Sequence, residues 1–123
     1  MNEIRKRIVL AAPLDRVWQF LTEPARIAEW LMESTLVDVY EGSEFMFTAE
    51  PSGRWDGRIH CTIREVIEKE RISYTWNAND VDQVTVVTFD LEAHPEGTEL
   101  VFTHSGFDGA APGAAGRTAA AWT

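Results

Sequence analysis

The side chains best suited to acid–base or metal chemistry in this sequence are its three histidines. His60 and His104 fall in predicted strands far apart along the chain, so a metal site or an acid–base pair would require them to meet across a sheet. His94 precedes a proline in a predicted turn and is expected to be solvated. We therefore predict no metal site and no cofactor.

Nucleophilic catalysis is the second kind of chemistry that the sequence could support. Cys61, the one cysteine, lies on the apolar face of a predicted strand, which favours an inert buried thiol over an activated thiolate. A single cysteine also allows no internal disulfide and no cysteine-based zinc cluster. Ser43 and Ser105 could serve a hydrolase, but neither lies in a Gly-x-Ser-x-Gly turn between a strand and a helix. No catalytic residue is predicted.

Carboxylates are interspersed with arginines in the middle of the chain, as on a solvated sheet face with cross-strand ion pairs. The alternative is that one carboxylate points inward and acts as the acid of a cyclase or dehydratase, which would require apolar neighbours that raise its pKa. The residues concerned are Glu44, Glu50, Asp56 and Glu65, with Arg54, Arg58 and Arg64 between them.

Composition and charge narrow the classes of function. Of the 123 residues 45% are hydrophobic, which suffices for one folded domain over residues 1–123. The formal net charge of −9 disfavours nucleic acid and anionic membranes as partners and leaves a basic protein surface possible. No apolar stretch near the N-terminus is long enough for a signal peptide or a membrane span, so we expect a cytoplasmic location.

Two short helices are predicted after a first strand at residues 3–10. Pro13 suits the first position of a helix, and apolar residues then recur at helical spacing. Thr22 is predicted to cap the second helix, with Pro24 in its first turn. The apolar stripes are Leu14, Val17, Trp18 and Leu21 in the first helix and Ile27, Trp30 and Leu31 in the second.

After the helices the apolar pattern changes to a period of two, which is typical of half-buried strands. Turn residues separate the alternating segments, so the sequence predicts antiparallel strands in a meander. The predicted strands are residues 36–40, 44–50, 54–68, 71–77, 83–93 and 99–105. The residues predicted on the buried face of the longest segment are Trp55, Ile59, Cys61, Ile63 and Ile67.

Together these elements predict an α+β domain, with a curved antiparallel sheet of about six to seven strands and two short helices after the first strand. In that first strand Ile4, Ile8 and Leu10 share one face. No glycine-rich phosphate loop joins a strand to a helix in this pattern, so a nucleotide-binding fold is not indicated.

Several short motifs, in order along nearly the whole chain, resemble one known family: Ala12-Pro13, Val17-Trp18, Glu29-Trp30-Leu31, Gly57, Tyr74-Thr75-Trp76, Gly97-Thr98-Glu99-Leu100 and Thr103-His104-Ser105-Gly106-Phe107. The chain is similar to bacterial proteins like the activator of heat-shock protein 90 ATPase, within the START-like (SRPBCC) helix-grip superfamily. The resemblance implies a sheet that grips a long C-terminal helix, with a cavity between them for an apolar or amphipathic ligand.

One departure from the family pattern concerns the C-terminal helix. Such domains usually end with a long helix that begins near a Gly-Trp pair, and the matching place here is Ala121-Trp122-Thr123, at the end of the sequence. We therefore expect a START-like domain truncated at the start of this helix, with the helix largely absent. Three explanations are open: the natural protein continues beyond this sequence, another chain covers the groove, or the helix is not needed. Because an exposed apolar groove drives association, our hypothesis is that a second copy of the chain covers it as a homodimer.

Aromatic side chains support the prediction of a cavity. Inward aromatic residues on a curved sheet can form the wall of a ligand pocket, although each of them could instead fill the core. Trp30 and Phe107 are predicted at the pocket edge, because each lies where a helix or strand end meets a loop. His104 is expected to hold a strand end or to face the cavity mouth through a hydrogen bond. The predicted ligand-pocket residues are Trp18, Trp30, Phe47, Trp55, Trp76, Phe89, His104 and Phe107.

Three classes of function are compatible with the resemblance. The first is a module that binds a small apolar ligand. The second is a cochaperone-like activator of a chaperone ATPase, although the family's activators generally carry a further N-terminal domain. The third is an enzyme of the polyketide cyclase or dehydratase type, which requires a polar group deep in the pocket with a shifted pKa. We rank the classes in this order. The shared fold alone does not establish any of these activities.

Overall fold

The chain folds into a curled seven-stranded antiparallel sheet with two short helices, as the computed structural model shows for residues 4–36, 38–78 and 84–106. The predicted α+β helix-grip plan is confirmed. No helix in these ranges is long and apolar enough to cross a membrane. The elements are β1 (Ile4–Leu10), α1 (Leu14–Thr22), α2 (Pro24–Trp30), β2 (Glu33–Ser34), β3 (Glu44–Thr48), β4 (Arg58–Ile67), β5 (Arg71–Ala78), β6 (Thr85–His94) and β7 (Gly97–Ser105).

The order of strands across the sheet is β1-β7-β6-β5-β4-β3-β2, and every neighbouring pair is antiparallel. Strands β3 to β7 follow one another as a meander, while β1 returns to pair with β7 at the far edge. The C-terminal helix and its expected absence concern residues 107–123, which lie outside the described ranges.

The inward faces of the central strands match the alternation read from the sequence. On β5, Ile72, Tyr74 and Trp76 are buried, and on β6 the same holds for Val87 and Phe89. These side chains form one core with the apolar stripe of α1. Because strands pack through every second residue, the period-two pattern was sufficient to predict this face.

The predicted strand at residues 36–40 is wrong, since the edge strand β2 comes earlier and has only two residues. Glu33 and Ser34 pair with β3. Immediately beyond them, Ser34 Oγ accepts the Leu36 amide at 3.1 Å, and Thr35 Oγ1 accepts the Met46 amide at 2.9 Å. The Thr35 amide still donates to the Met46 carbonyl oxygen at 3.0 Å, but side-chain hydroxyls make the other bonds, and Leu36 is buried without belonging to a strand.

A bulge in β4 overturns the prediction that Ile67 points inward. Ile59, Cys61 and Ile63 are buried as predicted, but the pairing with β5 shifts between Ile63 and Glu65. An extra residue reverses the face of every later side chain in a strand. Ile67 is consequently 45% exposed, and the preceding residue takes the inward position.

Thr22 does not cap the second helix as predicted. Its hydroxyl donates back to the carbonyl oxygen of Trp18 at 2.9 Å, within α1. The residue at the N-cap of α2 is Glu23, which also ends α1 and makes no side-chain capping bond. Pro24 occupies the first helical position because its missing N–H costs nothing there.

Gly97 allows the β6–β7 hairpin to approach the end of β1. Its φ is +141°, and a methyl group there would overlap the carbonyl oxygen of Leu10 and lie 2.9 Å from the Ala12 nitrogen. The next residue, Thr98, is fully buried and donates to the Ala12 carbonyl oxygen at 2.8 Å. Both residues lie in one of the motifs on which the family resemblance rests, and both fix the β1–α1 connection.

We expect Gly97→Ala to lower the free energy of unfolding by about 3 kcal/mol, because it combines backbone strain with a steric overlap. The matched control is Gly53→Ala, whose φ is +60° and whose added methyl group would meet nothing within 4 Å. That variant should lose only about 1–2 kcal/mol from the left-handed backbone. Urea unfolding compares the two, and equal losses would show that the close approach to β1 is unimportant.

Candidate functional site

The main apolar cavity lies between the two helices and one edge of the sheet. Its volume is about 580 Å³. Strands β1, β7 and β6 form its floor, and α1 and α2 form one side. The described lining residues are Lys6, Ile8, Leu10, Ala11, Ala12, Val17, Phe20, Leu21, Trp30, Phe89, Leu100 and Phe102. With the exception of Lys6, these residues carry no charge.

Strand register explains why these residues face the cavity. Ile8 on β1 is paired with Leu100 on β7, and Phe102 is paired in turn with Phe89 on β6. Residues that are directly opposite each other in a sheet point to the same face. The cavity floor is therefore built from one face of three adjacent strands, and Ile8 at its rim remains 46% exposed.

Trp30 is held at the cavity by a hydrogen bond to a backbone carbonyl oxygen at the end of α1 that lacks its usual amide donor. The carbonyl oxygen of Phe20 would normally accept the amide of residue 24, but that residue is Pro24 and has no N–H. The indole Nε1 of Trp30 donates to this oxygen instead, at 2.7 Å. The ring then meets Phe89 edge-on, with 6.1 Å between centroids. Trp30 is 41% exposed, so it forms an edge of the cavity.

Of the predicted pocket residues, the structure brings Trp30 and Phe89 together at this cavity. Phe107 lies outside the described residues. The others do not border this cavity, so their role in ligand binding stays a prediction, as does cover of the groove by a second copy. These others are Trp18, Phe47, Trp55, Trp76 and His104.

The buried members of that group pack in the core. Phe47 is 1% exposed, with ring centroids 5.5 Å from Trp76 and 5.9 Å from Tyr74. Trp18 packs in the same core from α1. Trp55 is partly buried beside the core, and its Nε1 donates to the Arg58 carbonyl oxygen at 3.0 Å.

His104 is a fully buried structural residue of β7. Its Nε2 lies 2.6 Å from Thr85 Oγ1, and the same hydroxyl donates to the Trp76 carbonyl oxygen at 3.1 Å. Because a hydroxyl has one proton, His104 must be the donor to Thr85, which assigns the proton to Nε2. Burial lowers the pKa of His104 to about 4. The histidine is therefore neutral at pH 7 and joins β7 to β6 and β5.

The remaining candidates for chemistry are dispersed. Burial raises the pKa of the Cys61 thiol, which leaves it protonated and unreactive. Burial also raises the pKa of Tyr74 well above its usual value. His60 is exposed on the outer face of β4, and His94 Nδ1 accepts the amide of Glu96 at 3.0 Å. In the described parts of the chain no three His, Cys, Asp or Glu side chains lie close enough to hold a metal ion.

Among the carboxylates singled out in the sequence, Glu65 forms an ion pair with Arg71. Glu65 and Asp90 both contact Arg71, at 3.1 Å and 2.6 Å. Asp56 accepts the backbone amide of Arg58 at 3.0 Å. Glu44 lies on the outer face of β3, along a second and more polar depression of about 620 Å³ that also contains His60. None of these groups borders the apolar cavity.

Several cavity residues were absent from the predicted pocket, most clearly those of β1 and β7. The shared face of Ile8 and Leu10 was visible in the alternation, and so was the inward position of Leu100 and Phe102. The sequence analysis did not predict that β1 pairs with β7. This pairing places residues about ninety positions apart in the sequence side by side on the cavity floor. The sequence analysis chose pocket residues mainly among the aromatic side chains, so it did not include Lys6.

The fold and the cavity place this chain among the START-like helix-grip proteins. The family model described as Activator of Hsp90 ATPase homolog 1-like protein matches residues 11–123. The chain belongs to this family, as the shared motifs had indicated. A comparison with curated proteins finds no match.

Solved structures show the same fold. A protein from Mesorhizobium loti, MLL2253, is 30% identical, with a TM-score of 0.78 over 95% of this chain and 82% of that one. CalU16 from Micromonospora echinospora is 27% identical, with a TM-score of 0.65 over 83% of this chain and 57% of its own. DynU16, a protein of the dynemicin biosynthetic locus, is 22% identical, with a TM-score of 0.76 over 99% of this chain. The match spans only 43% of DynU16, so this chain corresponds to part of the longer proteins.

Proposed function

We propose that this chain is a binding module that holds an apolar or amphipathic small molecule in the cavity between the helices and strands β1, β7 and β6. The observation that carries the proposal is the cavity itself. Its volume of about 580 Å³ falls within the range of about 300–1,000 Å³ that is typical of small-molecule pockets. Its described lining is apolar apart from Lys6, so burial of hydrocarbon surface is the interaction it offers.

The chemistry of the lining favours binding over catalysis. A cyclase or dehydratase needs a polar group deep in the pocket that can donate or accept a proton. Among the described residues, the buried ionisable groups with shifted pKa values are Cys61, Tyr74 and His104, and none of them borders this cavity. The cavity wall therefore supplies shape and apolar surface rather than a described acid or base.

Activity on a chaperone ATPase is the alternative that the family's description raises. Such an activity requires a surface that contacts the chaperone and does not require a ligand in the cavity. An ATPase assay with Hsp90 separates the two functions. Suppose that the chain retains no small molecule and stimulates the Hsp90 ATPase, and that a substitution at Ile8 leaves this stimulation unchanged. That result would favour activation of the chaperone over ligand binding as the function.

Adding an apolar ligand should raise the melting temperature, because a molecule that binds only the native state stabilises it. The neutral probe N-phenyl-1-naphthylamine fits the size and character of the cavity. At roughly a hundredfold excess over its dissociation constant we expect a rise of about 10 °C. A panel of lipids and aromatic compounds that gives no shift at all would contradict the proposal.

Two adjacent residues of β1 provide a matched pair for locating the binding site. Ile8 is 46% exposed and lines the cavity, whereas Val9 is 44% exposed and points to the other face. We expect Ile8→Asn to weaken binding of the neutral probe about fivefold to tenfold through lost apolar contact. Val9→Asn should leave its affinity unchanged.

Fluorescence titration measures both variants, and thermal melts show whether they remain equally folded. The two substitutions remove similar strand-forming residues from the same edge strand, so their effects on stability should match. Equal losses of affinity in both variants would place the probe outside this cavity.

A further inference from the structure

One cation, Lys6, lies at the rim of the cavity, and the other described lining residues carry no charge. Lys6 lies on β1 opposite Phe102, on the face that forms the cavity floor. Its neighbours Arg5 and Arg7 point to the other face, where Arg7 pairs with Glu99 at 3.0 Å. Strand alternation therefore turns one of three consecutive basic residues toward the cavity.

The surroundings of Lys6 leave its charge available to a ligand. No ion pair joins Lys6 to another residue in the described ranges, and the described cavity lining contains no carboxylate. The side chain is exposed, so its ammonium group keeps its hydration until a ligand arrives. A lysine stem can also cover apolar surface while its charged end stays in water.

The negative net charge of the protein has little effect on an anion that binds beside Lys6 at the cavity rim. With a formal net charge of −9, the protein as a whole repels anions. At physiological salt, however, charges farther away than about 8 Å are largely screened. An anionic group at the cavity rim would thus interact mainly with Lys6.

We propose that the ligand of the cavity is an amphipathic anion, whose apolar body lies on Leu100, Phe102 and Phe89 and whose acidic group pairs with the ammonium of Lys6. This inference rests on the proposed binding function and adds the charge of the ligand to it. A carboxylate, sulfonate or phosphate on a hydrocarbon or aromatic body satisfies the same requirement. A cationic amphiphile of equal size is disfavoured at the same rim.

Two fluorescent probes with one skeleton test the charge directly. N-phenyl-1-naphthylamine is neutral, and 8-anilinonaphthalene-1-sulfonate carries the same rings with an added sulfonate. Both are titrated into the full chain and into the variants Lys6→Met and Arg5→Met. The first substitution keeps a long apolar stem at the cavity and removes the charge, while the second removes a charge from the opposite face of the same strand.

We expect Lys6→Met to weaken binding of the sulfonate about fivefold and to change binding of the neutral probe by less than about twofold, as for a partly exposed ion pair. Arg5→Met should change neither affinity. Added salt should weaken binding of the sulfonate to the wild-type protein and have little effect on Lys6→Met.

The outcomes separate this inference from the function on which it rests. If the neutral probe binds but Lys6→Met leaves the affinity for the sulfonate unchanged, the anionic ligand is refuted and the binding cavity stands. If Lys6→Met weakens both probes equally, the lysine acts through its stem and the charge assignment is again refuted. If neither probe binds the wild-type protein, the binding function itself fails.

Discussion

Truncation of Phe47 to alanine is expected to lower the free energy of unfolding by about 3–5 kcal/mol, the usual cost of emptying the site of a buried aromatic ring. Phe47 is 1% exposed and its ring contacts those of Phe45, Tyr74 and Trp76, with centroids 5.3–5.9 Å apart. These contacts are made within the protein, so the loss should occur without any ligand. Urea unfolding of the apoprotein measures it.

The exposed Tyr40 provides the control for this truncation. Its side chain is 57% exposed, so Tyr40→Ala should change stability by only about 0.5 kcal/mol. Should Phe47→Ala fail to fold, Phe47→Leu retains most of the volume and is expected to lose about 1–2 kcal/mol. A truncation at Phe47 that costs less than about 1 kcal/mol but abolishes binding of the neutral probe would show that this ring belongs to a ligand site and not to the core.

Acidification is expected to destabilise the protein through His104. Its pKa is about 4 in the folded chain, against 6.5 for an ordinary histidine. Between these two values the unfolded chain binds more protons than the folded one, so stability falls as the pH is lowered. The difference corresponds to about 3 kcal/mol, present in full above pH 6.5 and lost as the pH falls to about 4.

The physical cause is that protonation would bury a cation beside the ring of Trp76, 5.4 Å away, and the ring of Phe102, 6.4 Å away. The neutral ring already donates from Nε2 to Thr85, so the extra proton would have to be placed on Nδ1. The acid sensitivity therefore arises at the hydrogen bonds through which His104 and Thr85 link β7, β6 and β5.

Proton NMR of the imidazole rings tests this without any substitution, because each histidine can be titrated in the folded protein. The variant His60→Gln removes an exposed histidine and so identifies which imidazole resonance belongs to His60. A resonance of His104 that titrates near pH 6.5 while the fold is intact would contradict the buried, neutral ring.

Most of the fold could be predicted from the sequence because its signals are local. The period-two alternation of β5, β6 and β7 reflects which side chains face the core, and the helical spacing after Pro13 does the same for α1. The errors arose where a local signal was absent or ambiguous. The bulge that turns Ile67 outward adds one residue to β4 without any glycine or proline to mark it.

The candidate site was less accessible to such reasoning, because an empty volume is a property of the assembled fold. Trp30 was predicted at the pocket edge from its position at a helix end, but the sequence could not separate Phe89 from Phe47 and Trp76, which fill the core. That difference depends on how α1 and α2 rest on the sheet. Lys6 was likewise invisible as a site residue until β1 was paired with β7.

The most direct test of the binding cavity is to observe contacts between a bound molecule and its wall by NMR. In a complex with N-phenyl-1-naphthylamine, we predict intermolecular nuclear Overhauser effects from the probe to the methyl groups of Ile8, Val17, Leu21 and Leu100. Val9, on the opposite face of β1, should show none. Contacts confined to the outer face near Val84, or no contacts at saturating probe, would contradict the account.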